Sequence, residues 1–351
     1  MPFYNREKEI EEMKAVLSGE PNLVYFVYGP INSGKTALLM KVFEELPEEY
    51  RVFYINFRWR YIEEVRDLIQ VLFRVKGKKE KLSVFLEKVL KGGAKLFEKL
   101  GGIPIPEEIF DLLFRRTERA EDVFAFLKDY FSIVVEKGYK PVFVLDEMQT
   151  IKEVINTAGK SVIHELFNFL VGLTKETHLC HCLCATSDCL FIEDVYSNAR
   201  LEGRADYILV DDLSMEEAFR VYEGFGFEHK ELVWDYIGGK FGDMIKLFER
   251  KKRGEDEKEA LPGMLKDEVA RLEWIKLKKL REREDGKEIW RFLLNFKDSW
   301  EIAKSIVEEK FDKLLFWIEE NVLFYNPVDG AVRPQSWLLA RAIGELVNQP
   351  A

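Results

Sequence analysis

The segment Gly29-Pro30-Ile31-Asn32-Ser33-Gly34-Lys35-Thr36 carries two glycines, a lysine and a hydroxyl at the spacing GxxxxGK[ST]. Those residue types at that spacing make an anion site. Glycine lets the backbone curl so that consecutive N–H groups point inward at phosphate oxygens. A helix beginning near Lys35 adds the positive end of its dipole to the same place. The Lys35 ammonium would reach the outer phosphates of a nucleoside triphosphate, and the Thr36 hydroxyl would take a coordination position on Mg²⁺. Gly29, Pro30, Asn32, Ser33, Gly34, Lys35, Thr36 and Ala37 are therefore the candidate phosphate-binding set.

A second half must hold the metal and activate water. Asp146 and Glu147 follow the apolar run Pro141-Val142-Phe143-Val144-Leu145. A carboxylate at the end of such a strand emerges where ligands bind in open α/β sheets. Asp146 is the candidate for the Mg²⁺ shell and Glu147 for the general base toward water. Thr186 and Ser187 close a further apolar run, where a hydroxyl can orient the attacking water and sense the outermost phosphate. Arg200 and Arg204 precede the last strand of the series. An arginine there can stabilise transition-state charge, in cis or from a neighbouring chain.

These groups need a scaffold that brings strand ends together. Short apolar runs at residues 23–28, 51–57, 141–145, 178–185 and 207–210 read as strands, and helical spacing separates them. Fully apolar strands alternating with helices predict a parallel sheet covered on both faces. Residues 59–136 read as a long helical insertion. From Ser214 onward strands nearly vanish, and Leu261-Pro262-Gly263 reads as a hinge before a long charged helix. The last third reads as two short helices, at residues 299–310 and 311–320, then a hairpin turning at Asn326-Pro327-Val328-Asp329-Gly330, then a final helix. That is winged-helix order.

Bulk properties narrow the partners. The chain has 351 residues, 47% hydrophobic and 33% charged, with a formal net charge of −10. That balance argues against a broad electrostatic footprint for nucleic acid. No run approaches the roughly 18 apolar residues that cross a bilayer, and the first ten residues lack a signal peptide's apolar run. The cytoplasm is the expected compartment, with no membrane partner. Cys180, Cys182, Cys184 and Cys189 fall in one segment. A strand would splay the first three rather than converge them on an ion, so packing is the preferred reading over a thiolate–imidazole site with His178 or His181.

At this point the residues resemble a family: the archaeal ATPases of the STAND/AAA+-like (ASCE) branch, relatives of the archaeal origin-recognition ATPases. Phe3-Tyr4-Asn5-Arg6-Glu7-Lys8-Glu9 is similar to the family's F-x-x-R-E-x-E box, which implies that Arg6 lies near the adenine. Val144-Leu145-Asp146-Glu147-Met148-Gln149 resembles its hydrophobic-D-E-[FM]-Q segment. Ala185-Thr186-Ser187 stands where the family has G-S-S, favouring Thr186 as sensor, and Gly203-Arg204-Ala205 matches its G-R-A, favouring Arg204 over Arg200. Leu213 to Ala218 resembles the opening of a helical lid. The family's lid often carries G-G-x-P, whereas this chain reads Gly238-Gly239-Lys240-Phe241. The resemblance implies an α/β P-loop fold with a five-stranded parallel sheet in the order 5-1-4-3-2, a helical lid and a C-terminal winged helix. The expected domains are an ATPase core at 1–212, a lid at 213–260 and a winged-helix domain at 261–351.

Three readings of the ATP remain. One is a regulatory switch whose nucleotide state a protein partner reads. Another is a DNA-binding ATPase, serving replication, repair or mobile-element maintenance through the helix at 310–320, with Lys310 and Lys313 opposed by Asp312, Glu319 and Glu320. The last is a nucleotide-holding scaffold, against which Glu147 speaks. Charge balance favours the switch over DNA, and the oligomeric state stays open.

Overall fold

The computed structural model describes residues 6–59, 62, 64–75, 81–91, 102–116, 120–151, 161–196, 201–297, 299–303, 305 and 310–347. Phe3, Tyr4, Asn5 and Arg200 lie outside the described residues. The strands in chain order are β1 (Val24–Tyr28), β2 (Tyr50–Asn56), β3 (Phe73–Val75), β4 (Ile103–Ile105), β5 (Lys140–Asp146), β6 (His181–Thr186), β7 (Ala205–Leu209), β8 (Leu323–Tyr325) and β9 (Val332–Pro334).

Five of them form one parallel sheet in the order β2-β5-β6-β1-β7. The expected order, 5-1-4-3-2, needs correction in its numbering. It allowed for no strand inside the insertion, yet β3 and β4 lie there and pair with each other as a separate parallel ribbon. Three-residue strands leave too short a pattern for periodicity to register.

Both faces of the sheet are covered, which is why its strands read as continuous apolar runs. Side chains alternate between the faces. Phe26, Phe53 and Phe143 turn to one side, where Phe26 meets Phe167 edge-on at 6.2 Å and Phe53 meets Tyr130 at 5.7 Å. Val27, Val52, Val144, Leu183 and Ile208 turn to the other, onto the helices Glu7–Ser18 and Lys35–Glu44. Cys180, Cys182, Cys184 and Cys189 are all buried and unbridged. Burial pushes the Cys182 and Cys184 thiols up and lowers the His181 imidazole to about 4, so each is held in its neutral form. No helix among the described residues is long and apolar enough to cross a membrane.

Past the sheet, Ser214 caps the helix Met215–Gly224 reciprocally with Glu217. Helices Lys230–Ile237 and Phe241–Lys252 follow. The segment expected to be a hinge is helical instead. Pro262 lies inside the helix Glu257–Ile275, where Ala260 and Leu261 are fully buried. Pro262 is the sixth residue of that helix and forfeits the bond its N–H would have made to Lys258 O, a cost that the burial of Ala260 and Leu261 offsets. Gly263 is small because a Cβ there would stand 2.7 Å from Arg250 Nη1. Of the helix expected at 299–310, residues 299–303 are not helical, Ser305 is, and residues 304 and 306–309 lie outside the described residues; Ile302 bridges to Val332 of the hairpin β8–β9. The helices Phe311–Glu319 and Trp337–Val347 complete the chain.

Candidate functional site

Parallel pairing sets the site. Tyr28 is in register with Thr186, Asn56 with Asp146 and Leu145 with Cys184, so β1, β2, β5 and β6 end at one edge. The loop after β1 curls there. Gly29 has φ +154°, and a Cβ on it would stand 2.2 Å from the Val210 carbonyl oxygen. Asn32 (φ 60°) and Gly34 (φ 98°) are left-handed, and Gly34 is the N-cap of Lys35–Glu44 with no side-chain cap. The first bond of that helix runs from Leu38 N–H to Gly34 O at 2.9 Å. The N–H groups of Lys35, Thr36 and Ala37 therefore precede the helical ladder and point out of its end.

Lys35 is 8% exposed, and its ammonium donates to Gly29 O at 3.0 Å and Pro30 O at 2.8 Å. Burial lowers it to about 7, helped by repulsion from Lys240 and opposed by Glu147, Asp146 and Asp212. Thr36 Oγ1 donates to Asp146 Oδ2 at 2.8 Å. The same oxygen accepts from Tyr54 OH at 2.5 Å and Asn56 Nδ2 at 3.4 Å, while Asp146 Oδ1 accepts from Glu147 N–H at 2.9 Å. Burial and the Asp146 charge push the Tyr54 phenol up, so it stays a neutral donor.

Glu147 is left-handed (φ 61°), which turns its side chain out of the strand line. Its Oε1 pairs with Arg58 Nη2 at 2.7 Å, and its Oε2 accepts from Gln149 Nε2 at 2.5 Å. Gln149 Oε1 in turn accepts from Thr186 Oγ1 at 2.7 Å. A continuous polar chain thus runs from Arg58 through Glu147 and Gln149 to Thr186. Lys35, Thr36, Asp146, Glu147 and Thr186 are brought together as expected from the sequence.

Arg6, which the family resemblance puts near the adenine, lies beside the phosphate loop. Its guanidinium donates to Ser33 O at 2.9 Å, Asp211 O at 2.5 Å and Glu9 Oε1 at 2.6 Å, so it clamps the curled loop to the end of β7. Arg204, expected to act in cis or from a neighbouring chain, lies at the other end of its strand. Its carbonyl accepts from Val24 N–H at 3.0 Å, which puts it where β1 and β7 begin. The phosphate edge lies five residues along β7, about 16 Å away at roughly 3.3 Å per residue. Arg204 cannot reach the site of its own chain.

Tyr54, Asn56 and Arg58 are site residues that motif reading passed over, and Gln149, matched there without a role, joins them. The signal was alternation: Tyr54 and Asn56 share one face of β2, the face Asp146 joins across the strand pair. The helices that follow the sheet and the C-terminal hairpin also reach the loop. Gly242 lies so close that a Cβ would stand 2.6 Å from Asn32 Cβ, and Lys240 is buried 3.0 Å from Asp212 Oδ1. Gln335 Oε1 accepts from Ile31 N–H at 3.2 Å, Asn326 Oδ1 accepts from Tyr28 OH at 2.8 Å, and Arg333 pairs with Asp211.

The residues present fit a nucleoside triphosphate. A buried ammonium faces carbonyl oxygens it would exchange for phosphate, helix N–H groups lie beyond the ladder, and around a Gly34 Cβ nothing stands within 4 Å. Thr36 and Asp146 offer the oxygen ligands that Mg²⁺ takes.

Comparisons agree with that geometry. A family model described as an ATPase domain predominantly from Archaea matches residues 3–247, and one for the C-terminal domain of MJ1010-like ATP-binding proteins matches 258–347. The chain is 39% identical to the ATP-binding protein MJ0147 of Methanocaldococcus jannaschii, across 99% of this chain and 98% of that one. It is 38% identical to the ATP-binding protein PYRAB09480 of Pyrococcus abyssi, across 99% of each. Among solved structures, the Walker-type ATPase Paby2304 of Pyrococcus abyssi superposes with a TM-score of 0.64 at 17% identity, covering 97% of this chain and 96% of that one. The ORC2 protein of Aeropyrum pernix, solved as ADPNP–ADP complexes, gives 0.51 at 12% identity, covering 99% and 97%.

Proposed function

We propose, from the premise that this chain belongs to the predominantly archaeal ATPase family and binds ATP, that it hydrolyses MgATP and acts as a nucleotide-dependent switch on a protein partner. The observation that carries the reading is the convergence of Lys35, Thr36, Asp146 and Glu147 on one sheet edge. In this reading Lys35 and the N–H groups from Asn32 to Ala37 hold the phosphates. Thr36 Oγ1 and Asp146 take the Mg²⁺, and Tyr54 and Asn56 keep Asp146 aimed. Bound Mg²⁺ would neutralise charge building on the leaving phosphate oxygens. Glu147 draws a proton from the attacking water once it leaves Arg58, and Thr186 acts through Gln149. Arg204 would serve only the site of another chain, which ties full turnover to assembly.

Support for a switch comes from what rests on the phosphate loop. The lid meets it at Gly242, and the hairpin β8–β9, read as part of a winged helix, meets it through Gln335. A change in the loop is therefore felt in both. A protein partner in the cytoplasm suits the acidic surface. The DNA reading has less behind it. Lys313 lies 3.6 Å from Glu288, Arg333 is spent on Asp211, and Arg341 donates to Asp235 O. Phosphate contacts need such cations available.

Steady-state ATP hydrolysis by the purified chain, alone and with duplex DNA at two salt concentrations, tests this. The expected result is slow turnover indifferent to DNA. Stimulation that falls steeply with salt would put the DNA-bound ATPase first, and no turnover under any condition would remove hydrolysis from the account.

A further inference from the structure

The helix Glu257–Ile275 runs on into a wide π-helical turn, Lys276–Leu280. Leu272, Ile275 and Leu280 are buried. An α-helix comes back to its buried face after three or four residues. Here the return takes five, from Ile275 to Leu280, and it leaves Lys276, Leu277, Lys278 and Lys279 all exposed. Trp274 and Leu277 stand 61% and 58% exposed, more than any other large apolar side chain among the described residues. Wide turns of this kind occur frequently at functional sites.

Charge gathers at the same place. From Trp274 to Arg283 the chain sets five cations against one carboxylate, Glu282, in a protein whose net charge is −10. Two of the five are spent, since Lys279 lies 2.6 Å from Glu320 and Arg283 lies 3.0 Å from Asp285. Lys276, Lys278 and Arg281 have no carboxylate partner among the described residues. The Lys276 ammonium lies over the Trp290 ring at 4.4 Å and that of Lys278 over Trp274 at 5.0 Å. The rings hold those two cations in place without neutralising them.

Size and sign select what covers this surface. Ten residues of helix span about 15 Å, room for two or three turns of a second helix. A duplex or an anionic bilayer would extend beyond it and meet the acidic remainder of the chain, where repulsion acts over about 8 Å. Both exposed apolar side chains would also be left uncovered against phosphates. A second copy of the same surface would set five cations against five. A short acidic helix with an apolar stripe meets both the charge and the apolar surface, by the helix-in-groove mode of peptide recognition.

We infer that the Trp274–Arg283 surface docks an acidic amphipathic helix of a partner protein, whose apolar side chains cover Trp274 and Leu277 while its carboxylates meet Lys276, Lys278 and Arg281. The inference rests on the protein-partner reading above and gives that partner its chemistry.

Fluorescence polarisation on the full chain tests it, with a labelled synthetic peptide that carries leucine at helical spacing among glutamates, and a scrambled peptide of the same composition. The patterned peptide should bind at least about tenfold more tightly than the scrambled one. Trp274→Ala should weaken it about 30-fold, the scale of truncating an aromatic anchor. The Lys278→Glu/Arg281→Glu double variant should weaken it about tenfold and flatten its salt dependence. These side chains are exposed, so thermal melts and ATP turnover of the variants should stay native. No peptide binding, equal affinity for the two peptides, or native affinity in Trp274→Ala would overturn the inference. So would duplex DNA, anionic vesicles or self-association, if each is lost in Trp274→Ala while the peptide is ignored. Patterned-peptide binding that leaves ATP turnover unchanged at saturation would support the surface and count against the switch beneath it.

Discussion

Glu147→Gln is expected to bind ATP with native affinity and to turn it over about 10²- to 10⁴-fold more slowly, the usual worth of a positioned general base. Binding survives because the phosphate-holding groups, Lys35 and the helix N–H groups, and the metal ligands Thr36 and Asp146 are untouched. Turnover falls because an amide cannot take the proton from water. The carboxylate is engaged on both oxygens, by Arg58 at 2.7 Å and Gln149 at 2.5 Å. The amide oxygen can still accept from Arg58, while the amide nitrogen no longer accepts from Gln149 Nε2, so native ATP affinity is the control that the site stays intact. Single-turnover hydrolysis beside calorimetric ATP binding separates the two. Unchanged turnover would move the base elsewhere along that chain.

Gly29→Ala is expected to be strongly destabilising. Its Cβ would stand 2.2 Å from Val210 O, a backbone atom, and Val210 N–H is already bonded to Tyr28 O at 2.7 Å. Neither the loop nor β7 can yield without breaking the link between them. A loss of about 3 kcal/mol or more is expected, together with ATP binding. Gly34→Ala makes the contrast. Its φ of 98° is strained for alanine, but no atom lies within 4 Å of the added carbon. About 1 to 2 kcal/mol is expected from backbone strain, with ATP affinity falling because the methyl enters the space a phosphate needs. Thermal melts and ATP binding of the two variants decide the matter. Equal stabilities would mean that the loop is not pinned to β7.

What was legible in the sequence was local. The glycine-lysine-threonine spacing, the apolar runs and the acidic pair after Leu145 each lie within a few residues, and each landed at the expected sheet edge. What escaped depends on pairing across the chain. Tyr54 and Asn56 become ligand-orienting groups only because β2 lies beside β5. Arg58 meets Glu147 from a turn after β2, and Gly242 meets Asn32 from a helix more than two hundred residues on. The run Leu261-Pro262-Gly263 reads as a break by composition, yet burial of Leu261 carries the helix through it. Arg204 could have been placed. A residue just before a parallel strand lies at the strand's N-terminal edge, and ligands gather at the opposite one.

The most direct test of the account is ATP binding by the purified chain in Mg²⁺, beside Lys35→Ala. Saturable binding at one nucleotide per chain, weakened by removal of Mg²⁺ and lost in Lys35→Ala, is the predicted result. Tight ATP binding by Lys35→Ala would contradict the assignment of the site to the Gly29–Thr36 loop.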